Sequence, residues 1–252
     1  MRKRAFSKQI TGGAQFLVAA ALLLVFLSPE ATGQIPIDSI SVLQKIGSDA
    51  GYPLDGNYQL TKDIDALTTG GWNDGAGFMP IHGFTGRLDG QGHKITSLVI
   101  NRPSEYYVGL FGCMFSGTAE NLGLENVSVS GTWQVGGMVG YSHHGTLTSC
   151  YTTGMVTGYC SIGGLVGWNN GVMTECFSIA AVLEGEKVGG LAGANNGTIT
   201  QCYAIGAVSG WDYAGGLVGE NYGSIVECYA AGLISGASPT GGLVGFNGGD
   251  VS

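Results

Sequence analysis

From residue 135 onward the apolar and polar positions recur in a fixed order. The phrases VGGMVG from Val135, IGGLVG from Ile162, VGGLAG from Val188, AGGLVG from Ala214 and TGGLVG from Thr240 open successive units. Each is followed by a polar residue, a glycine, a short apolar run and, in the first four units, a cysteine next to an aromatic residue. Cys150, Cys176, Cys202 and Cys228 lie 26 residues apart. A constant period of this size signals stacked units rather than one globule.

The columns of the repeat agree in chemistry. Leu147, Met173, Ile199 and Ile225 form an apolar column, and Val156, Val182, Val208 and Ile234 a β-branched one. Ser142, Asn169, Asn195, Asn221 and Asn247 form a polar column, and Tyr151, Phe177, Tyr203 and Tyr229 an aromatic one. The apolar runs are too short for helices, and glycine interrupts them every few residues. Short β-branched runs bounded by Gly and Asn read as strands and turns. A 26-residue unit reaches at most ~86 Å when extended, so folding at three corners closes one coil of a parallel β-helix. Coils stacked about 4.8 Å apart superpose like residues, which is the physical reason for repeating columns. The asparagines are then expected to hydrogen-bond along their column, and the inward Leu, Ile and Val to bury a continuous core. The four repeat cysteines read as small hydrophobes of that core. Parallel Cβ vectors one coil apart are too far for a relaxed disulfide. Cys113 and Cys160 lie off this column and have no assigned pairing.

Upstream the pattern changes. Arg2, Lys3, Arg4 and Lys8 precede an apolar stretch from Phe16 to Phe26, and Ala31-Thr32-Gly33 offers small residues before Gln34. Residues 1–33 therefore read as a secretory signal cut after Gly33, with an uncleaved anchor as the alternative. Residues 34–106 read as an N-terminal cap and irregular first coils. A short helix carrying Ile40, Leu43 and Ile46, N-capped by Asp38 or Ser39, is suited to cover the hydrophobic end of a solenoid. The run FTGRLDGQGHKI from Phe84 reads as strand, turn and strand. Residues 107–252 form the repeats, with extra residues expected to bulge near 126–134 and 158–161.

The repeat pattern GGLVG-x-N-x-G, with I-x-x-C-Y-x-x-G-x-V-x-G around it, resembles the GLUG motif family. The leading segment YPLDGNYQLTKDID, with F-x-G-x-LDG-x-GH-x-I after it, resembles what precedes those repeats. The resemblance implies an all-β, right-handed parallel β-helix of a bacterial exported or surface protein. Such repeats accompany adhesin-like proteins and IgA-specific peptidases, so the motif by itself implies no reaction.

Composition and charge narrow the partners. After residue 33 the chain carries 17 acidic and 6 basic side chains, a formal charge of 6−17 = −11. That argues against nucleic acid and anionic membranes, leaving the membrane a role only in export. No HExxH, GxSxG or zinc-spaced cysteine motif is present, and no cofactor is expected. His143-His144 stand where later repeats have Asn-Asn, and read as a solvated turn. His93 likewise reads as a turn residue. Asp63, Asp65, Asn73 and Asp74 lack the pattern of a calcium loop. The acidic residues are scattered, so paired carboxylates cannot be argued.

Two columns are candidates for binding. One is the aromatic column Tyr151, Phe177, Tyr203 and Tyr229, turned outward if the preceding cysteines point in. The other is a Thr-rich face around Thr146, Thr148, Thr174, Thr198 and Thr200, interrupted by Val172 and Val226. The expected function is non-catalytic: an adhesin-like or spacer module of a secreted or surface protein, binding carbohydrate or protein. The alternative is a polysaccharide-active enzyme, or an accessory region of a larger peptidase.

Overall fold

A coil such as residues 186–210 shows why the chain folds as it does. Glu186–Gly189 forms a strand, the Gly190-Leu191 pair bends the chain, and Ala192–Asn195 forms the next. The phrase GGLAG is thus split between two strands by its own glycine, and Leu191 enters the core at the bend. Thr198–Thr200 follows, then Tyr203–Ala204 and Val208–Gly210. Each coil therefore turns at four corners rather than the three that chain length alone suggests.

The computed structural model describes residues 33–252. The secretory signal read at residues 1–33 lies outside them but for Gly33. The strands stack in four parallel sheets, named here in the order one coil visits them. Sheet 1 has six strands and includes Trp133–Gly136; sheet 2 has seven and includes Val139–His143. Sheet 3 has nine strands and includes Thr146–Thr148; sheet 4 has eleven and includes Tyr151–Thr157. The protein is an all-β parallel solenoid.

Sheet 3 runs from Ile35–Ile37 to Asp250–Val251 and shows the register plainly. Ile35, Tyr58, Leu88, Ala119, Leu147, Met173, Ile199, Ile225 and Val251 stand one above the other. Those from Tyr58 to Ile225 are buried. Each fully buried Leu, Ile or Met contributes about 1.5–3 kcal/mol of hydrophobic stabilisation. The column Val156, Val182, Val208 and Ile234 is in register in sheet 4.

Glycine and the left-handed residues do different work. A Cβ on Gly171, Gly197 or Gly223 would lie 2.0–2.1 Å from the carbonyl oxygen of the equivalent glycine one coil earlier. This column is glycine because neighbouring coils approach closely. The left-handed corner position before each repeat cysteine is filled by Ser149, Glu175, Gln201 and Glu227, and before Leu122 by Asn121, with φ of 50–55°. There Ser149 donates to Glu175 at 3.0 Å and Gln201 to Glu227 at 2.9 Å, along the stack.

The only α-helix among the described residues is Ile40–Leu43, with Ser39 at its N-cap and no side-chain cap bond. Ile40, Leu43 and Ile46 are buried in the core at the N-terminal end of the stack. Gln44 fixes this turn by accepting from the Met79 amide at 2.8 Å and donating to its carbonyl at 3.0 Å. The run from Phe84 is not a hairpin. Arg87–Asp89 belongs to sheet 3 and Lys94–Thr96 to sheet 4, with a corner between them.

One change of repeat length falls between Leu124 and Val127, where the register shifts against the next coil. The other is not at residues 158–161, whose neighbours Thr157 and Cys160 keep one offset to Leu183 and Glu186. It is at the corner His143-His144-Gly145, which stands opposite only Asn170-Gly171.

Candidate functional site

The predicted aromatic column is in register in sheet 4, Tyr151 beside Phe177, Tyr203 and Tyr229 in turn. Its rings stack with centroids 4.8, 4.8 and 5.0 Å apart and planes within 6° of parallel. The cysteine before each ring points into the core, so strand alternation turns the ring outward. Stacked in this way, the rings cover one another's faces and show solvent their edges. Tyr229, at the end of the column, is 55% exposed.

The upstream end of the column is locked by charge. Tyr151 leans over Gly123, the residue paired with it in the preceding coil. Its hydroxyl donates to Glu125 at 2.8 Å, and the Lys94 ammonium lies 2.9 Å from the same carboxylate. Burial, and then the Glu125 carboxylate, push the Tyr151 phenol up to about 12. The hydrogen bonds from Lys94 and then Tyr151 hold the Glu125 carboxyl below its usual range.

A second aromatic surface lies on sheets 1 and 2, and the repeat columns did not reveal it. Tyr106 and Trp133 are paired in sheet 1, with Tyr159 and Trp211 at the corner leading into that sheet. The centroid separations are 6.4 Å from Tyr106 to Trp133, 5.9 Å on to Tyr159 and 5.6 Å on to Trp211. The patch continues through Tyr107 to Tyr141 and Trp168 in sheet 2. His143 joins it, packed between Tyr141 and Phe115, so this histidine belongs to an aromatic surface rather than a bare turn. Interplanar angles here run from 36° to 73°, so the rings do not cover one another. Trp133, Tyr159, Trp211 and Tyr106 are 37%, 45%, 48% and 58% exposed. Three of the chain's four tryptophans are in this patch, a concentration visible in the sequence only after the coils are superposed.

The asparagine column begins at the edge of this patch, next to Trp168, and runs on along sheet 2. Asn169, Asn195 and Asn221 are fully buried at the ends of sheet 2 strands. Each donates its side-chain amide to the next asparagine's oxygen, at 2.8, 2.8 and 2.7 Å down to Asn247. Each oxygen from Asn169 to Asn221 also accepts from the amide of the glycine two residues on. Trp168 is adjacent to Asn169 in the same strand, so the ladder fixes the backbone that carries this ring.

The remaining predicted residues sit elsewhere. All six cysteines are free thiols. In the core the Cys176 amide donates to the Cys202 sulfur and the Cys202 amide to the Cys228 sulfur, both at 3.3 Å. Hydrogen bonding to Cys176, followed by burial, pushes the Cys202 thiol up to about 12. The Thr face is regular within sheet 3, each of its two rows being broken by one valine. Asp63 accepts from the Lys94 amide and faces His93 at 3.1 Å, an arrangement that ties a turn. Among the described residues no group of three or more His, Cys, Asp or Glu is placed to hold a metal ion. A cavity of about 440 Å³ lies at the N-terminal end, between Gln44, Ser48, Trp72, Asn73 and Met79.

Fold and surface together define a parallel β-solenoid that carries a self-stacked aromatic column and an open aromatic patch. No family model matches the chain. It is 45% identical over 141 residues to Halomucin of Haloquadratum walsbyi, a match covering 52% of this chain and 2% of that protein. It is 33% identical over 115 residues to a protein of Evansella cellulosilytica described as a candidate Gly-rich membrane protein, covering 43% of this chain and 12% of the other. The chain thus spans a small fraction of the length of either relative. Its fold is shared with a crystal structure of a protein from Bacteroides ovatus described as a candidate immunoglobulin A1 protease. The TM-score is 0.68 at 23% identity, over 83% of this chain and 70% of that one.

Proposed function

We propose that this chain is a non-catalytic module of a secreted or cell-surface protein, with repeats of the GLUG type. It works as a rigid rod that displays binding side chains to an extracellular carbohydrate or protein. The observation that carries this reading is the continuity of the stack. Sheet 3 runs from Ile35 to Val251 with its apolar residues in one row. A solenoid of this kind holds outward residues at fixed spacing along its length. The excess of acidic side chains and the similarity to Halomucin support an extracellular setting.

A second reading is favoured by the Bacteroides ovatus neighbour. In it the rod is an accessory region that positions a peptidase or a polysaccharide-degrading domain on its substrate.

Two measurements test these readings. The full chain, expressed with a C-terminal reporter, should reach the outside of the cell. Purified, it should release no product from immunoglobulin A1 or from a panel of polysaccharides. Retention in the cytoplasm would remove the surface module, and hydrolysis would replace it with an enzyme.

A further inference from the structure

We infer that the open aromatic patch of Tyr106, Trp133, Tyr159, Trp211, Tyr141 and Trp168 is a binding platform for a neutral polysaccharide. The inference rests on the surface-module reading and names its site and ligand class. It also moves the site away from the column that the repeat pattern suggested.

Three observations point to this occupant. The first is ring geometry. The C–H faces of sugar rings pack on aromatic faces, which carry the negative part of the ring quadrupole. The Tyr151 column has those faces closed at 4.8–5.0 Å, whereas the patch leaves them open at angles of 36° and more. The second is charge. The cations bordering the patch are already spent: Arg102 pairs with Glu105 at 2.8 Å, and Lys187 with Glu220 at 2.7 Å. The row that begins Tyr106, Trp133 and Cys160 continues as Glu186 and Asp212. Such a surface repels a polyanion and leaves a neutral polymer as the fitting ligand.

The third observation is the segregation of exposed apolar residues. Protein interfaces mix aromatic anchors with aliphatic and methionine side chains. Here the exposed Met155, Ile179, Ile205 and Leu233 lie on the side of sheet 4, Val172 and Val251 on sheet 3, and Leu67 and Met79 in the N-terminal coils, and none is a member of the patch. The patch runs along several coils on the outer side of sheets 1 and 2, a layout suited to an extended chain rather than to an enclosed small sugar.

The test is affinity electrophoresis of the purified chain through gels containing galactomannan, xylan or hydroxyethyl cellulose, with polygalacturonate as the anionic control. Retardation is expected in at least one neutral gel and not in polygalacturonate. The double variant W133A/Y159A should weaken it by at least about tenfold. The aromatic W133Y should retain most of it, and Y203A in the stacked column should leave it unchanged. Circular dichroism and melting establish that each variant is folded.

Absence of binding to every neutral polymer, or binding to polygalacturonate alone, would overturn the inference. So would retention undiminished in W133A/Y159A. Sedimentation of the wild type as a dimer that W133A/Y159A dissociates would replace the sugar with a second copy of the chain. Any of these can occur in a chain that is exported and inactive as a hydrolase, so the site can fail while the surface-module reading stands.

Discussion

The two aromatic regions are built from the same residue types and behave oppositely. In sheet 4 the rings are themselves the ladder: Tyr151, Phe177, Tyr203 and Tyr229 repeat at one position in consecutive coils and close on one another. In sheet 2 the ladder is the buried asparagine row that starts beside Trp168, while the rings on sheets 1 and 2 are tilted and uncovered. A perfect repeat therefore favours cohesion between coils, and a broken repeat leaves surface free to bind. Strict periodicity in a solenoid marks what holds it together, and departures from it are where to look for recognition.

The largest effect is expected from the asparagine ladder that runs on along sheet 2 from the patch. Asn195→Ala removes the bonds to Asn169, Asn221 and Gly197 and breaks the ladder in its middle. Asn169 is left with only its bonds to the glycine two residues on, and Asn221 with those and its bond to Asn247. A loss of roughly 3–5 kcal/mol is expected as a fall in the urea midpoint. A loss near zero would mean that the asparagines do not hold sheet 2. Next is Phe177→Ala, which deletes two stacked contacts at once. About 2–3 kcal/mol should be lost, with polysaccharide binding unchanged. Loss of binding with little loss of stability would invert the comparison.

Gly123→Ala tests the locked end of the column. The added Cβ falls 2.4 Å from the Tyr151 ring carbon bearing the hydroxyl. The ring must move, at about 1–2 kcal/mol, and its phenol should titrate closer to the ordinary value. Tyr151→Phe should cost about 1 kcal/mol near neutral pH. The sign of its pH dependence follows from a folded phenol raised from 10.0 to about 12. The hydrogen bond's contribution is complete below the unfolded value and disappears as pH rises through the folded one. Wild type should thus lose stability between about pH 10 and 12 that the phenylalanine variant does not lose, read by melting alongside phenolate absorbance. The smallest effect belongs to the open patch. Trp133→Ala should change stability by under about 0.5 kcal/mol while weakening binding. A large loss of stability there would mean that the ring is structural and the two regions alike.

Much of the fold was legible from the period. The cysteine, asparagine and apolar columns needed only counting, because a residue repeated at each coil has the same neighbours above and below. Residues at bends were harder to read. GGLVG looks like one strand, yet its second glycine and the leucine after it turn the corner between sheets 1 and 2. The extra residue at His143-His144-Gly145 was misplaced because the spacing of glycine anchors gives the number of insertions but not their position along the coil.

The sequence by itself determined the period, the solenoid and the identity of the stacked rows, since superposition of like residues is a property of the one-dimensional repeat. It also determined the acidic balance. Only the tertiary structure decided which rings have open faces. Tyr106 and Trp133 share one row, Tyr141 and Trp168 another, and Tyr159 and Trp211 stand at the corner leading into sheet 1; winding the coils is what brings these short, interrupted rows together as one surface. Ring tilt depends on what occupies the coil above and below, and that neighbourhood exists only once the coils are wound.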